Sequence, residues 1–170
     1  MKITFLGTSA ATSFPLPFCQ CNTCLQARKN GGKNYRKRSS LLINEDLLID
    51  LGPDIISAAS MYDISIVNIR YCLQTHSHSD HFDASHLTTR IPEYAVEDIP
   101  HLELFSSKPT LMKMSEMMEN EGYIKDIFDT QAQERLNLNV NSVKYFQSFK
   151  IGKYEITAFP ANHDKNIDSL

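Results

Sequence analysis

Hydrophobic and polar positions along the chain alternate between strand-like and helix-like segments. Short runs rich in Ile, Leu, Val, Phe and Tyr, bounded by turn residues, predict β-strands. These runs are 3–6, 41–43, 47–50, 69–74, 143–149 and 154–159. Turn residues at 44–46 and 151–153 separate two pairs of runs, so each pair is predicted to form a hairpin.

Other hydrophobic positions follow the helical period of about 3.6 residues. Helices are predicted at 25–29, from Pro53 to about residue 62, and from Lys108 until Gly122 ends the segment. In the last helix, the spacing places four side chains in the core: Leu111, Met114, Met117 and Met118. Strands and helices mix throughout without a repeat or a linker, which predicts a single α/β domain.

Length and charge narrow the classes of protein to consider. The chain has 170 residues, the size of one domain, and its 17 basic against 20 acidic residues give a net charge of −3. We therefore do not expect long nucleic acid as a partner. No apolar run reaches the roughly 18 residues of a membrane span, and the first hydrophobic run is too short for a signal peptide. A cytoplasmic protein without a membrane partner is expected.

Side chains that can bind metals are concentrated directly after the run at 69–74. His76, His78, Asp80 and His81 fall within six positions, and alternate residues of an extended backbone point to the same side. Imidazole and carboxylate ligands suit zinc, iron or manganese, and two such ions can activate a water as metal-bound hydroxide at neutral pH. The alternative is a polar turn in which the histidines occur by chance.

This histidine segment resembles the signature of the metallo-β-lactamase superfamily, His-x-His-x-Asp-His after a strand. The resemblance implies an αββα sandwich of two αβ halves, with residues 1–170 as the N-terminal part of a single domain. It further implies that Asp50 orients the metal loop without ligating, and that His163 joins His76 and His78 on the first metal. Asp80 and His81 are implied for the second metal. For Asp50, an ordinary turn residue at a strand end is the alternative.

Three cysteines, Cys19, Cys21 and Cys24, lie in a loop at about 15–38. In a chain without a secretion signal such spacing suggests metal binding before disulfides. The segments Leu-Gly-Thr-Ser at 6–9 and Pro-Phe-Cys-Gln-Cys-Asn-Thr-Cys at 17–24 resemble the cyclic phosphodiesterases associated with carbon-phosphorus lyase. That resemblance implies one structural zinc, with a fourth ligand from later in the sequence. Reduced thiols without metal are the alternative, and Cys72 is interpreted as a buried core residue.

Basic residues concentrate close to this loop, where they could attract a phosphate-bearing substrate or simply form a solvated surface. They are Arg28, Lys29, Lys33, Arg36, Lys37 and Arg38.

Two ligands of the superfamily, a bridging aspartate and a last histidine, have no counterpart in this sequence. Asp164 and Asp168 lie too close to His163 to take the aspartate's place, and 166–170 is interpreted as a turn that enters another strand. We therefore expect a chain truncated after the first half. Such a chain would expose an apolar sheet face and would associate with itself or with a complementing C-terminal half.

The predicted function is hydrolysis of a small, cyclic phosphodiester with two divalent ions, zinc or manganese, and with Asp80 positioning the water. Other reactions on the same fold remain open, namely thioester or lactone hydrolysis and RNA 3′-end processing. A non-catalytic metal-binding module is a further alternative.

Overall fold

Six strands form the central sheet, in the same order in space as along the chain. They are β1 (Ile3–Gly7), β2 (Ser40–Ile43), β3 (Leu47–Ile49), β4 (Tyr71–Leu73), β5 (Leu102–Ser106) and β6 (Leu138–Ser142). The computed structural model describes residues 1–95, 97–120, 122, 124–163 and 167–170. Part of the turn predicted at 166–170, and the position of Asp164, lie outside the described residues.

Only β2 runs opposite to the other five strands of this sheet. The pairs β1–β2 and β2–β3 are antiparallel, whereas β3–β4, β4–β5 and β5–β6 are parallel. The carboxyl ends of β3, β4 and β5 therefore meet at one edge of the sheet. Residues that follow Ile49 and Leu73 are brought together there, and this edge carries the candidate site.

Helices cover one face of the sheet. These are α2 (Ile55–Met61), α3 (Ala84–Thr88), α4 (Lys108–Asn120) and α5 (Thr130–Leu136), whereas α1 (Asn22–Asn30) and a short 3-10 turn at Gly32–Asn34 lie in the cysteine loop. The main core lies between sheet and helices, where Leu48 and Leu104 pack with the α4 side chains Leu111, Met114 and Met118. Every helix within the described residues is too short or too polar to cross a bilayer.

A separate two-stranded antiparallel sheet, β7 (Ser148–Ile151) and β8 (Tyr154–Thr157), packs on the opposite face. Phe149 stacks on Phe105 with ring centroids 5.3 Å apart, and Ile151 packs with Leu47 in a second, smaller core. On the same hairpin, Tyr154 donates a hydrogen bond to Asp46. The hairpin leaves Ile3 and Phe5 of β1 exposed, at 48% and 61%.

Most predicted elements are present, with shifted ends. The hairpin at 41–50 and the core methionines Met114 and Met118 are confirmed, and Met117 is partly buried. The helix predicted from Pro53 begins at Ile55. The strand predicted at 143–149 is wrong over most of its length, because β7 begins only at Ser148. The prediction also missed α3, β5, α5 and β6.

The two faces of α4 allow a matched test of the helix packing. Met114 is fully buried and Met112 is 53% exposed on the same helix. Met114→Ala should lower the free energy of unfolding by about 2 to 5 kcal/mol, because it opens a cavity in the main core. Met112→Ala should change it by less than about 0.5 kcal/mol. Urea denaturation of both variants measures the difference, and equal losses would contradict the packing described.

Candidate metal centre

The candidate site is built from residues that directly follow two parallel strands. Asp50 follows β3, and Gln74 and Thr75 follow β4. The histidine segment then turns tightly, with the N–H groups of His81 and Phe82 donating to the carbonyl oxygen of His78 at 2.9 and 3.0 Å. The segment therefore lies over the carboxyl edge of the sheet.

Gly52 gives the histidine segment room to approach the chain after β3. A Cβ atom at this position would come within 2.6 Å of the carbonyl oxygen of Asp80. Any larger residue would push the two segments apart and displace Asp80.

Three imidazoles converge at this edge. Ligand nitrogens of His76, His78 and His163 lie within 4.8 Å of one another, although His163 follows β8 and is far away in sequence. The Nδ1 atom of His78 is 3.1 Å from Nε2 of His163. The structure thus brings together the three residues that the resemblance implied for the first metal, and this group could hold an ion.

His76 has the properties of a ligand and not of an ordinary core residue. It is 5% exposed, and its Nε2 atom is buried without a hydrogen-bond partner. Burial, together with the neighbouring His81, lowers the pKa of His76 to about 4. A neutral imidazole with a free lone pair is the form that binds metals, so these residues fit a divalent cation.

Asp80 and His81 lie beside this group. The Oδ2 atom of Asp80 is 3.3 Å from Nε2 of His81, and the ring of His81 is 4.1 Å from that of His76 between centroids. Burial alone would lower the pKa of His81, but its hydrogen bond to Asp50 and the charges of Asp50 and Asp80 together outweigh burial and raise it. The structure therefore places a carboxylate and a fourth imidazole next to the group of three histidines.

Asp50 connects the strands to the histidines. Its buried carboxylate accepts from the Thr75 N–H at 2.7 Å and from Gln74 Nε2 at 3.1 Å, and its Oδ2 lies 2.6 Å from Nδ1 of His81. Its backbone has a φ of +65°, a conformation that Asp and Asn tolerate better than most residues. Asp50 thus contacts His81, and among the described residues no hydrogen bond joins it directly to His76, His78 or His163.

Gln74 and Thr75 were missed by the sequence analysis. Gln74 is fully buried, accepts from the Leu51 N–H, and donates from Nε2 to the carbonyl oxygens of His76 and His81 at 2.8 and 3.0 Å. Thr75 places its hydroxyl 2.9 Å from Nδ1 of His76. A polar pair at the end of a strand, directly before a histidine cluster, was the available signal.

The cysteines also form a cluster. The sulfur atoms of Cys19, Cys21 and Cys24 lie within 4.8 Å of one another, so this group too could hold an ion. Hydrogen bonding from the Cys24 backbone, and then from the Cys19 side chain, lowers the pKa of Cys21 to about 7, which favours the metal-binding thiolate. Burial raises the pKa of Cys24. Cys72 is 1% exposed in the main core, as interpreted from the sequence.

The arginines near the cysteine loop contact their own chain. Arg28 donates to the carbonyl oxygen of Cys19 at 2.6 Å and to that of Leu16, and so holds the loop in place. Arg38 pairs with Asp54 at 3.1 Å, and Arg36 lies over the ring of Phe14. Lys29 and Lys33 are exposed. Arg36 is likewise exposed, whereas Arg28 and Arg38 are partly buried.

Metal counting tests the cysteine cluster. Cys24→Ala should lower the zinc bound per chain by one, because it removes the buried thiol of the trio. Cys72→Ala removes one buried thiol outside the cluster and should leave the zinc count unchanged. Elemental analysis of both variants after zinc loading gives the count, and equal counts would show that the trio holds no zinc.

Comparisons with known proteins were made at three levels. No protein-family model matches the sequence, and no curated protein matches it. Among solved structures, the chain is similar to a diphosphatase from the PhnP family, with a TM-score of 0.67 and 17% identity over 98% of this chain. It is also similar to Zn(2+)-bound PqqB from Methylobacterium extorquens, with a TM-score of 0.65 and 18% identity over 98%.

These similarities concern the fold. The chain has the mixed α/β architecture of the metallo-β-lactamase type, as the resemblance of the histidine segment implied. It spans 59% of the diphosphatase chain and 56% of the PqqB chain.

Proposed function

We propose that this chain, which has the metallo-β-lactamase fold, is the metal-binding part of a metal-dependent hydrolase that acts on a small cyclic phosphodiester. The observation that carries the proposal is the convergence of His76, His78 and His163, together with the Nε2 atom of His76, which is buried without a hydrogen-bond partner. In this proposal these three residues hold one divalent ion, zinc or manganese. Asp80 and His81 contribute to a second.

The residues of the chain have distinct parts in this reaction. When bound, divalent cations supply Lewis-acid stabilisation of the phosphoryl oxygens and activation of water. Asp80 orients the attacking water through its carboxylate. Asp50 holds the His81 ring in place, and Gln74 fixes the backbone on both sides of the histidine segment through His76 and His81.

Two observations favour a phosphodiester over the other substrates of this fold. The fold is similar to that of a protein described as a diphosphatase, which acts on a phosphorus centre. The three cysteines, whose loop Arg28 contacts, lie close enough together to hold an ion, and this supports the branch of cyclic phosphodiesterases that the segment resembles. Thioester or lactone hydrolysis and RNA 3′-end processing are the competing reactions.

The activity proposed is that of a whole protein with both αβ halves, since the chain spans little more than half of each similar structure. In this proposal the exposed apolar side chains Ile3 and Phe5 on β1 contact a complementing half or a second copy of the chain. Size-exclusion chromatography of this chain should show association. A stable monomer would contradict that part of the proposal.

Substrate turnover tests the reaction itself. The whole protein with both αβ halves, loaded with zinc or manganese, is offered a chromogenic phosphodiester and a chromogenic thioester at equal concentrations. We expect faster phosphodiester turnover, and we expect His76→Ala to remove it because the first cation is lost. His101→Ala is the matched control, since His101 is half-exposed and contacts Asn137 away from the site.

Each outcome decides between named alternatives. Faster thioester turnover would overturn the phosphodiester proposal and keep the hydrolase. Two site metals without turnover of either substrate would exclude both substrate classes. No site metal and no turnover would favour a non-catalytic module.

A further inference from the structure

The Thr75 hydroxyl lies between Asp50 and the buried ring of His76. Its Oγ1 atom is 2.9 Å from each carboxylate oxygen of Asp50 and 2.9 Å from Nδ1 of His76. A hydroxyl has one hydrogen to donate and lone pairs that accept, whereas a carboxylate only accepts. The hydroxyl hydrogen therefore points to Asp50, and a lone pair faces Nδ1 of His76.

The surroundings of Asp50 support this assignment. Its Oδ1 atom also accepts from the Thr75 backbone N–H and from Gln74 Nε2, neither of which can accept a hydrogen bond in return. The Gln74 amide is oriented by its oxygen, which accepts from the Leu51 N–H. Asp50 is thus surrounded by donors, and the Thr75 hydroxyl is one of them.

The Nε2 atom of His76 also indicates that the proton of this ring is on Nδ1. Nε2 is buried and has no hydrogen-bond partner. A proton on Nε2 would be a buried donor without an acceptor, and Nδ1 would then place its lone pair against a lone pair of Thr75. A proton on Nδ1 is instead donated to Thr75 and leaves on Nε2 an unprotonated acceptor, not an unpaired donor.

We propose that Thr75 is a positioning residue that fixes His76 in the tautomer protonated on Nδ1, so that the buried Nε2 atom keeps a free lone pair in the ring that packs against His78 and His163. The tautomer follows from the contacts of Thr75 alone. Only its use, binding of a divalent cation, rests on the proposed function. Thr75 does not itself contact the cation or the substrate.

Two substitutions separate the hydroxyl from the shape of the side chain. Thr75→Val keeps the volume and the branched Cβ but removes the hydroxyl. Thr75→Ser keeps the hydroxyl and removes the methyl group. Both retain the backbone N–H that donates to Asp50 at 2.7 Å, so the anchor of Asp50 is common to all three proteins.

The first readout requires no metal. Long-range proton–nitrogen NMR correlation spectra of the full chain after treatment with a chelator distinguish protonated from unprotonated ring nitrogens, and circular dichroism checks that each variant is folded. We expect His76 protonated on Nδ1 in the unmodified chain and in Thr75→Ser. In Thr75→Val the ratio of Nδ1–H to Nε2–H should fall about fivefold, the effect of one lost hydrogen bond.

The second readout is zinc affinity by calorimetry, measured in a Cys24→Ala background so that the cysteine cluster does not contribute. Thr75→Val should bind zinc about 10-fold more weakly, as is typical when the group that orients a ligand is lost, and Thr75→Ser should stay close to the unmodified chain. A proton on Nε2 in the unmodified chain, or no shift in Thr75→Val, would overturn the proposal. The expected tautomers without any zinc binding would uphold the role of Thr75 and refute the proposed function instead.

Discussion

Asp50→Asn is expected to weaken zinc binding about 10- to 100-fold and to lower the free energy of unfolding by about 1.5 to 3 kcal/mol. The amide oxygen can still accept from Thr75 and Gln74, but the amide nitrogen would replace Oδ2, which now lies 2.6 Å from Nδ1 of His81. Two donors would face each other. His81 can escape only by moving its proton to Nε2, the nitrogen that faces Asp80.

Asp63→Asn is the matched control for this substitution. Asp63 is exposed and, like Asp50, has a positive φ, of 53°, so the backbone demands of the two positions are the same. Calorimetric titration with zinc and urea denaturation should show no loss for Asp63→Asn beyond about 0.5 kcal/mol. Equal behaviour of the two variants would mean that Asp50 has no role in the site.

Zinc at 100 times its dissociation constant should raise the melting temperature of the chain by roughly 5 to 11 °C, since such binding stabilises the folded state by about 2.7 kcal/mol. In His163→Ala one of three converging nitrogens is lost. If that weakens binding about 100-fold, the same zinc concentration stabilises by only ~0.4 kcal/mol and the shift nearly disappears.

Differential scanning calorimetry with and without zinc measures these shifts. The measurement is best made in a Cys24→Ala background, so that zinc in the cysteine cluster does not contribute. His101→Ala should retain the full shift, because its ring contacts Asn137 at the amino ends of β5 and β6, whereas the site lies at the carboxyl edge of the sheet. A full shift in His163→Ala would show that the third imidazole does not bind the ion.

The histidine segment could be predicted from the sequence because its spacing is local. His76 and His78 are separated by one residue, and an extended backbone brings them to the same side. The approach of His163 could be expected only from the resemblance, because it depends on how β7 and β8 pack on the central sheet. The contacts of Gln74 and Thr75 with Asp50 depend on the parallel pairing of β3 with β4, and no local sequence pattern indicates that pairing.

The missed elements have weak patterns for physical reasons. β6 has the sequence Leu-Asn-Val-Asn-Ser and lies at the edge of the sheet, so only part of it is buried. α5 is mostly polar and buries only Ala132 and Leu136. β5 carries Glu103, which accepts from Asn139 and Asn141 of β6. Its place in the sheet depends on neighbours far away in sequence.

The position of His163 after β8 has a mechanical consequence. His76 and His78 are attached to the six-stranded sheet, whereas His163 belongs to the segment that leaves the small β7–β8 sheet. An isolated two-stranded hairpin is only marginally stable in water. An ion held by all three imidazoles would therefore act as a clasp between two layers, and amide hydrogen exchange in β7 and β8 should slow when zinc is added.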